Sequence, residues 1–182
     1  MNRLFIALKI PKGIREKIIS FRDSAIIDYR MYKWEPEEKI HLTLKFIGEV
    51  KEELTESIIN SLKFVTDYNS FECRLTRFGF FYKQGQSRIL WIGLSLNSYI
   101  DQLVKKINKK LEKFSIPAER RKFQPHMTIK RLKGDEGKNF IDSFESFKVP
   151  DIQFKAFEVV LMRSDLLPNG SKYTEIKKYN LK

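Results

Sequence analysis

The chain has 182 residues, of which 42% are hydrophobic, and it carries a formal net charge of +12 at neutral pH. A chain of this length buries roughly 70% of its unfolded surface, so it needs no disulfide or metal to stay folded. The composition excludes a disordered protein. The single cysteine, Cys73, excludes an internal disulfide, and no apolar run approaches the ~20 residues of a membrane-spanning helix. We expect a globular protein of the cytoplasm whose basic surplus attracts polyanions, RNA above all.

Short apolar strands alternate with amphipathic helical patterns along the whole chain. The helical patterns occupy residues 11–22, 53–65, 100–114 and 138–147. In the third of them, Ile100, Leu103 and Ile107 fall on one stripe, while lysines occupy the opposite face. Strands that alternate with helices of this kind predict an α+β protein in which helices cover one face of each sheet.

The two halves of the chain look like copies of one unit. Four pairs of features are separated by an offset of 85 residues: segments 4–10 and 89–95, segments 41–48 and 126–133, segments 71–81 and 156–166, and Gly85 with Gly170. The repeat predicts a single bilobal domain over residues 1–182, built from units of approximately 1–87 and 88–182 and related by a pseudo-twofold axis. The cleft between the lobes is the natural ligand site, and the lobes are free to exchange terminal strands.

The chain contains only two histidines, and each begins a His-x-Thr-apolar motif, at residues 41–44 and 126–129. Residues i and i+2 of a strand point to the same face, so His41 projects with Thr43 and His126 projects with Thr128. If the pseudo-twofold axis relates the two strands, both His-Thr pairs face one cleft. A single such motif is typical of a structural histidine, but two copies at matching repeat positions indicate a functional pair.

This constellation suits the cleavage of a phosphoester. In-line displacement at phosphorus needs a base on the entering oxygen and an acid on the leaving oxygen, and histidine performs either role near neutral pH. Threonine hydroxyls beside the imidazoles are suitable donors to the non-bridging oxygens. The scheme requires no metal, and zinc is the weaker reading because the chain has neither a His-Glu-x-x-His motif nor paired cysteines.

The paired motifs resemble those of the 2H phosphoesterase superfamily, which is named for its two His-x-Thr/Ser-x signatures. Within it, the chain is similar to the RNA 2′,3′-cyclic phosphodiesterases, also called the 2′-5′ RNA ligase family. The similarity spans nearly the whole chain, through RLFIA at residues 3–7, HLTLKFIGEV at 41–50, RILWIGL at 88–94, QPHMTIKR at 124–131 and SDLLPNGSKYTEI at 164–176.

The resemblance implies a bilobal α+β fold with two mainly antiparallel sheets, helices on their outer faces and a central cleft. It also implies hydrolysis of RNA 2′,3′-cyclic phosphates to 2′-phosphates, with no metal or other cofactor, by His41, Thr43, His126 and Thr128. His126 then activates water and His41 protonates the departing O3′. The two imidazoles exchange these roles if the substrate binds in the reverse direction.

The resemblance also suggests residues that hold the substrate. Many relatives carry an arginine two positions before the second histidine, where this chain has Gln124, so a phosphate contact there is in doubt. Nearby cations are the candidates to replace it: Arg121, Lys122 and Lys130. Arg131 is the better phosphate clamp because its planar fork holds two phosphate oxygens at once. Phe46, Tyr173 and Trp34 are candidates to stack on a base, as single-stranded RNA requires.

Two other readings stay open at this stage. One is a non-catalytic basic RNA-binding module whose histidines are only structural, and the other is a 2H phosphoesterase that acts on a small cyclic nucleotide. The resemblance further implies that the same site runs in reverse as a 2′-5′ RNA ligase. We expect RNA ends, tRNA fragments among them, as partners of a monomeric protein with no membrane attachment.

Overall fold

The secondary structure follows the predicted alternation of strands and helices. The computed structural model describes residues 1–119, 121–168 and 170–182. These residues form eight strands and four α-helices: β1 Asn2–Lys9, α1 Lys12–Ala25, β2 His41–Val50, α2 Leu54–Ser61, β3 Phe71–Lys83, β4 Gln86–Leu96, α3 Tyr99–Leu111, β5 His126–Arg131, α4 Gly137–Ser146, β6 Gln153–Ala156, β7 Glu158–Leu167 and β8 Gly170–Asn180. All four predicted helices are present, although α2 is shorter than its pattern because the chain tightens into a 3₁₀ turn at Lys63–Asp67.

The strands form two four-stranded sheets, and every neighbouring pair is antiparallel. The first sheet has the order β2-β1-β7-β8 and the second has the order β5-β4-β3-β6. Each sheet therefore takes a strand or strand pair from the other half of the chain, as expected for lobes that exchange strands. The predicted fold class, α+β with two antiparallel sheets, is confirmed.

The main hydrophobic core lies between the sheets and the helices that cover them. The apolar stripe of α3, including Leu103 and Ile107, is fully buried. On the second sheet, Phe144 of α4 packs edge-to-face on Phe78 of β3, with ring centroids 5.1 Å apart. Burying one such side chain contributes about 1.5–3 kcal/mol, so these contacts fix the outer faces of the sheets and leave the inner faces for function.

The same β-bulge interrupts both histidine strands. The pairing ladder skips Leu44 in β2 and Ile129 in β5, directly after the threonine of each motif. A bulge turns the following residues to the opposite face. Strict alternation would place Lys45 and Lys130 beside the histidines, but both lysines are buried, at 3% and 4% exposure.

The register of the strand pairs shows that the repeat offset in the first strand of each unit is one residue shorter than predicted. Phe5 pairs with Phe46, and Ile89 pairs with Arg131, which is the repeat counterpart of Phe46. The structural counterpart of Phe5 is therefore Ile89, at an offset of 84, and the predicted offset of 85 is wrong for this strand. The sequence does not reveal this one-residue shift, because both strands are runs of apolar residues. The register of a strand can be predicted from sequence only where polar and apolar residues alternate.

The described residues contain no helix that is both long and apolar enough to span a bilayer.

Candidate active site

The two histidine motifs lie at adjoining edges of the two sheets. β2 is the edge strand of the first sheet and β5 is the edge strand of the second, and the two strands are in contact. The two rings are close enough that a proton on His126 lowers the pKa of His41. The structure therefore brings together two residues that are 85 positions apart in the chain.

A backbone carbonyl two residues earlier in the chain holds each imidazole. His126 Nδ1 lies 2.7 Å from the carbonyl oxygen of Gln124, and the His41 ring donates to the carbonyl of Lys39. A carbonyl oxygen only accepts, so Nδ1 of His126 carries the proton and Nε2 is left as the basic atom of the neutral ring. The position at which many relatives carry an arginine thus contributes through its backbone.

Both imidazoles have a lowered pKa. The pKa of His41 is lowered to about 4, mainly by burial, with smaller contributions from the positive charges of Arg131 and His126 and against the hydrogen bond to Lys39. Burial also lowers the pKa of His126, against the hydrogen bond to Gln124. Both rings are therefore neutral at pH 7 in the free protein, and either one can accept a proton.

Aromatic side chains surround both histidines. The His41 ring stacks on Phe5 at 5.1 Å and meets Tyr173 edge-on at 5.6 Å. The His126 ring meets Phe81 edge-on at 4.7 Å and lies 6.4 Å from Trp91. These contacts exclude water and are the physical cause of the lowered pKa values.

Three of these aromatic contacts were not predicted. Phe5, Phe81 and Trp91 lie in stretches of their strands without polar residues, at 4–8, 78–82 and 89–94, so nothing in the local pattern separates the cleft face from the core face. The strand pairing identifies Trp91 as a residue of the site, because it lies directly opposite Thr128. The ring of Trp91 also depends on Gly79, where a Cβ atom would lie 2.4 Å from it.

The three residues predicted to bind substrate line one cavity of about 580 Å³, which is bordered by Phe5 next to His41. Arg131 is exposed, with its Nε 3.4 Å from the Glu35 carboxylate, and it hydrogen-bonds to the hydroxyl of Tyr173. Phe46 is 63% exposed, which is unusual for a large apolar ring. The structure thus gathers these residues in one place, and their roles stay predictions.

Trp34 lines the same cavity but belongs to the core. Its Nε1 donates to the carbonyl of Tyr29 at 2.7 Å, and its ring lies 6.1 Å from Phe140 and 6.0 Å from Phe144. A ring held on several sides is a fixed wall of the cavity rather than an adaptable base contact.

The two lysines that follow the bulges connect the lobes. This connection was not predicted, because strict strand alternation would place both lysines beside the histidines. Lys45 donates to the carbonyl of Pro117 at 2.6 Å, in the segment that leads to the second motif. Lys130 contacts the carbonyl of Lys33 at 3.4 Å, in the segment that leads to the first motif, and forms a buried ion pair with Glu136 at 3.2 Å. Lys130 is thus committed to a carboxylate, which argues against its suggested role as a phosphate contact.

The described part of the chain offers no group of three or more His, Cys, Asp or Glu side chains placed to hold a metal ion. Cys73 is 3% exposed, and burial raises the pKa of its thiol to about 12. A thiol in this state is a core residue and not a nucleophile.

The fold and the site together are those expected of a phosphoesterase with two His-x-Thr motifs on contacting edge strands. Residues 8–91 and 94–173 match the family described as LigT-like phosphoesterase, and the chain belongs to that family. The predicted family and the prediction of an enzyme are confirmed.

Relatives match the chain from end to end. The RNA 2′,3′-cyclic phosphodiesterase of Methanocaldococcus jannaschii is 34% identical, over 97% of this chain and 99% of its own. The protein of the same name from Thermotoga maritima is 30% identical, over 94% of this chain and 91% of its own.

Solved structures share the fold. A protein of Thermus thermophilus superposes with a TM-score of 0.81 at 24% identity and covers 98% of this chain and 97% of its own. E. coli LigT complexed with 3′-AMP superposes with a TM-score of 0.77 at 24% identity, over 99% of this chain and 98% of its own.

Proposed function

We propose that the protein hydrolyses 2′,3′-cyclic phosphate ends of RNA and leaves a 2′-phosphate. The observation that carries this proposal is the pair of neutral, carbonyl-anchored imidazoles on two contacting edge strands. Relatives at 34% and 30% identity that bear the name RNA 2′,3′-cyclic phosphodiesterase supply the substrate class. The net charge of +12 favours a polyanionic substrate.

The chemical step needs one proton acceptor and one proton donor on opposite sides of phosphorus. In the direction implied by the family, neutral His126 takes a proton from water while the water oxygen attacks phosphorus. The bond from phosphorus to O3′ breaks, and protonated His41 gives its proton to O3′. The hydroxyls of Thr43 and Thr128 donate to the non-bridging oxygens as their charge grows.

The acid acquires its proton together with the substrate. With a pKa of about 4, His41 is almost entirely neutral at pH 7 in the free protein. An anionic phosphate between the rings stabilises an imidazolium and raises the pKa of both histidines. The exposed guanidinium of Arg131 then holds the phosphate through two N–H donors.

The nucleoside lies in the cavity beside His41. Phe46 presents an exposed ring to the cavity, and Tyr173 is held between Phe5 and Arg131. A base that stacks on such a ring gains about 1–3 kcal/mol with little dependence on its identity. We therefore expect weak base preference.

The reverse reaction follows from the same geometry. Hydrolysis and 2′-5′ ligation pass through one pentacoordinate phosphorus, so a 5′-hydroxyl end of RNA that replaces water yields a 2′-5′ linkage. We place the protein in the cytoplasm as a monomer that acts on RNA fragments such as those of tRNA. Light scattering of the purified protein tests the oligomeric state.

The direct test is to incubate the protein with an RNA that ends in a 2′,3′-cyclic phosphate and to identify the phosphate monoester. We expect a 2′-phosphate, in the presence of EDTA as well as in its absence. RNA affinity is measured in parallel. RNA binding without turnover would support the non-catalytic module instead, and turnover of cyclic mononucleotides alone would support a small-nucleotide enzyme.

A further inference from the structure

The cavity beside Phe5 extends along β1 away from His41 as far as Arg3. Along β1, Ala7 pairs with Thr43 of the catalytic motif, Phe5 pairs with Phe46, and Arg3 lies two residues further on. Four residues of strand from Ala7 to Arg3 span about 13 Å. The cavity lining runs from Phe5, which stacks on His41, to Arg3, so Phe46 stands between the His41 side and a far end at Arg3, with room for a nucleoside between the two.

Arg3 lies at the far end, and two further cations line the same cavity. Arg3, Lys33 and Lys133 all line the cavity, and all three are exposed. Arg3 is close enough to the Tyr173 hydroxyl to influence its pKa, which connects this end to the stacking residues.

The charges of these three residues are available to a ligand. The other cations of the cavity have carboxylate partners, since Glu35 pairs with Lys39 and Arg131 and a buried ion pair engages Lys130. Within residues 1–119, 121–168 and 170–182, none of Arg3, Lys33 and Lys133 forms a salt bridge through its side chain. A set of uncompensated cations that lines a cavity is a site for an anion.

We infer that the far end of the cavity binds the phosphate on the 5′ side of the terminal nucleotide. This inference rests on the proposed function. It narrows the substrate class, because a cyclic mononucleotide with a 5′-hydroxyl fills only the near end. An RNA end, or a cyclic nucleotide with a 5′-phosphate, fills both ends.

The test compares two substrates that differ by one phosphate: a nucleoside 2′,3′-cyclic phosphate with a 5′-hydroxyl and the same compound with a 5′-phosphate. We expect the 5′-phosphorylated compound to have the higher kcat/KM, by tenfold or more at low salt. Its advantage should shrink as salt rises, because salt screens the attraction between the 5′-phosphate and the exposed cations.

Variants locate the effect in the structure. The triple variant Arg3→Gln/Lys33→Gln/Lys133→Gln should bring the ratio of the two kcat/KM values close to one. The control removes three exposed lysines from α3, which is remote from the cavity lining, in a Lys105→Gln/Lys109→Gln/Lys110→Gln variant with the same change in net charge. The control should keep the ratio of the wild type.

The outcomes separate this inference from the proposed function. If the wild-type protein turns over neither compound nor a longer RNA, the proposed function fails. If it turns over both compounds equally, or if the ratio survives in the triple variant, the phosphate site fails and the proposed function stands. Circular dichroism checks the fold of each variant, and the three single substitutions, each expected to lose part of the ratio, replace a triple variant that does not fold.

Discussion

At the scale of single residues, protonation is the property that decides the chemistry. Two imidazoles with a lowered pKa are both bases in the free protein. In the proposed mechanism, the substrate supplies the charge that makes one of them an acid. The aromatic rings that lower these pKa values also fix the positions of the two imidazoles. Activity and pH dependence are therefore linked through the same contacts.

The pH profile of kcat/KM should be bell-shaped, with both limbs below pH 6.5. That profile reports the free protein, in which the pKa of His41 is about 4 and that of His126 lies below its ordinary value. The profile of kcat reports the bound complex, in which phosphate raises both pKa values, so its optimum should lie at higher pH. Initial rates between pH 4 and 9 check this, and coincident optima would contradict it.

The stability of the protein should depend on pH through the protonation of His41. Its pKa is about 4 in the folded protein and 6.5 in the unfolded chain, so the unfolded chain binds more protons between these values. The contribution of His41 to stability is therefore complete above pH 6.5 and is lost as the pH falls towards 4, by about 1–2 kcal/mol at pH 5. Urea unfolding at pH 7 and pH 5 should show a smaller loss in His41→Asn than in the wild type. Equal losses would refute the assignment.

At the scale of strands, the bulge after each threonine shapes the site. It sends Lys45 and Lys130 into the interior and turns Phe46 and Arg131 to the exposed side of their strands. Each buried lysine then holds the segment that leads into the opposite motif. The position of one histidine is therefore coupled to the strand that carries the other.

Lys130→Met should destabilise the protein by about 3 kcal/mol, because it leaves Glu136 buried without its cation. Lys45→Met is the matched control, since its carboxylate partner Glu119 is half exposed and water can solvate it. We expect Lys45→Met to lose less stability than Lys130→Met. Urea denaturation measures both, and the double variant Lys130→Met/Glu136→Gln should recover part of the loss. A Lys130→Met variant as stable as the wild type would contradict the role of the buried pair.

Gly79→Ala should lower kcat/KM at least tenfold. The added Cβ would lie 2.4 Å from the ring of Trp91, and that ring borders His126 and must move. Gly13→Ala is the control, because nothing lies within 4 Å of its Cβ and alanine stabilises a helix by about 0.5–1 kcal/mol relative to glycine. Steady-state rates and thermal melting compare the two, and unchanged turnover in Gly79→Ala would show that the indole does not support the site.

At the scale of the whole molecule, the sequence predicted the architecture and both motifs but not the details that connect them. The helices were readable because their apolar stripes are long and regular, and the His-x-Thr motifs stood out because the chain has no other histidine. The bulges could not be predicted from the sequence. Lys130 was therefore suggested as a phosphate contact, although its side chain is buried. The register of the apolar first strands was wrong by one residue for the same reason, since a uniform run contains no polar marker.

The aromatic shell around the histidines was also beyond the sequence. Phe81 and Trp91 reach His126 from β3 and β4, through pairings between strands that local pattern does not specify. Exchange of strands between the lobes was foreseen, but only as one option. The division of the chain into two units near residue 87 stays a prediction.

The central claim is that His41 and His126 act on one phosphorus atom in one step. The most direct test is kcat/KM for an RNA 2′,3′-cyclic phosphate with His41→Ala, His126→Ala and the double variant. Each single substitution should lower kcat/KM by about 10²–10⁴-fold, and the double variant should lose much less than the product of the two effects. An unchanged kcat/KM in either single variant, or a double variant whose loss equals the product of the two single losses, would contradict the claim.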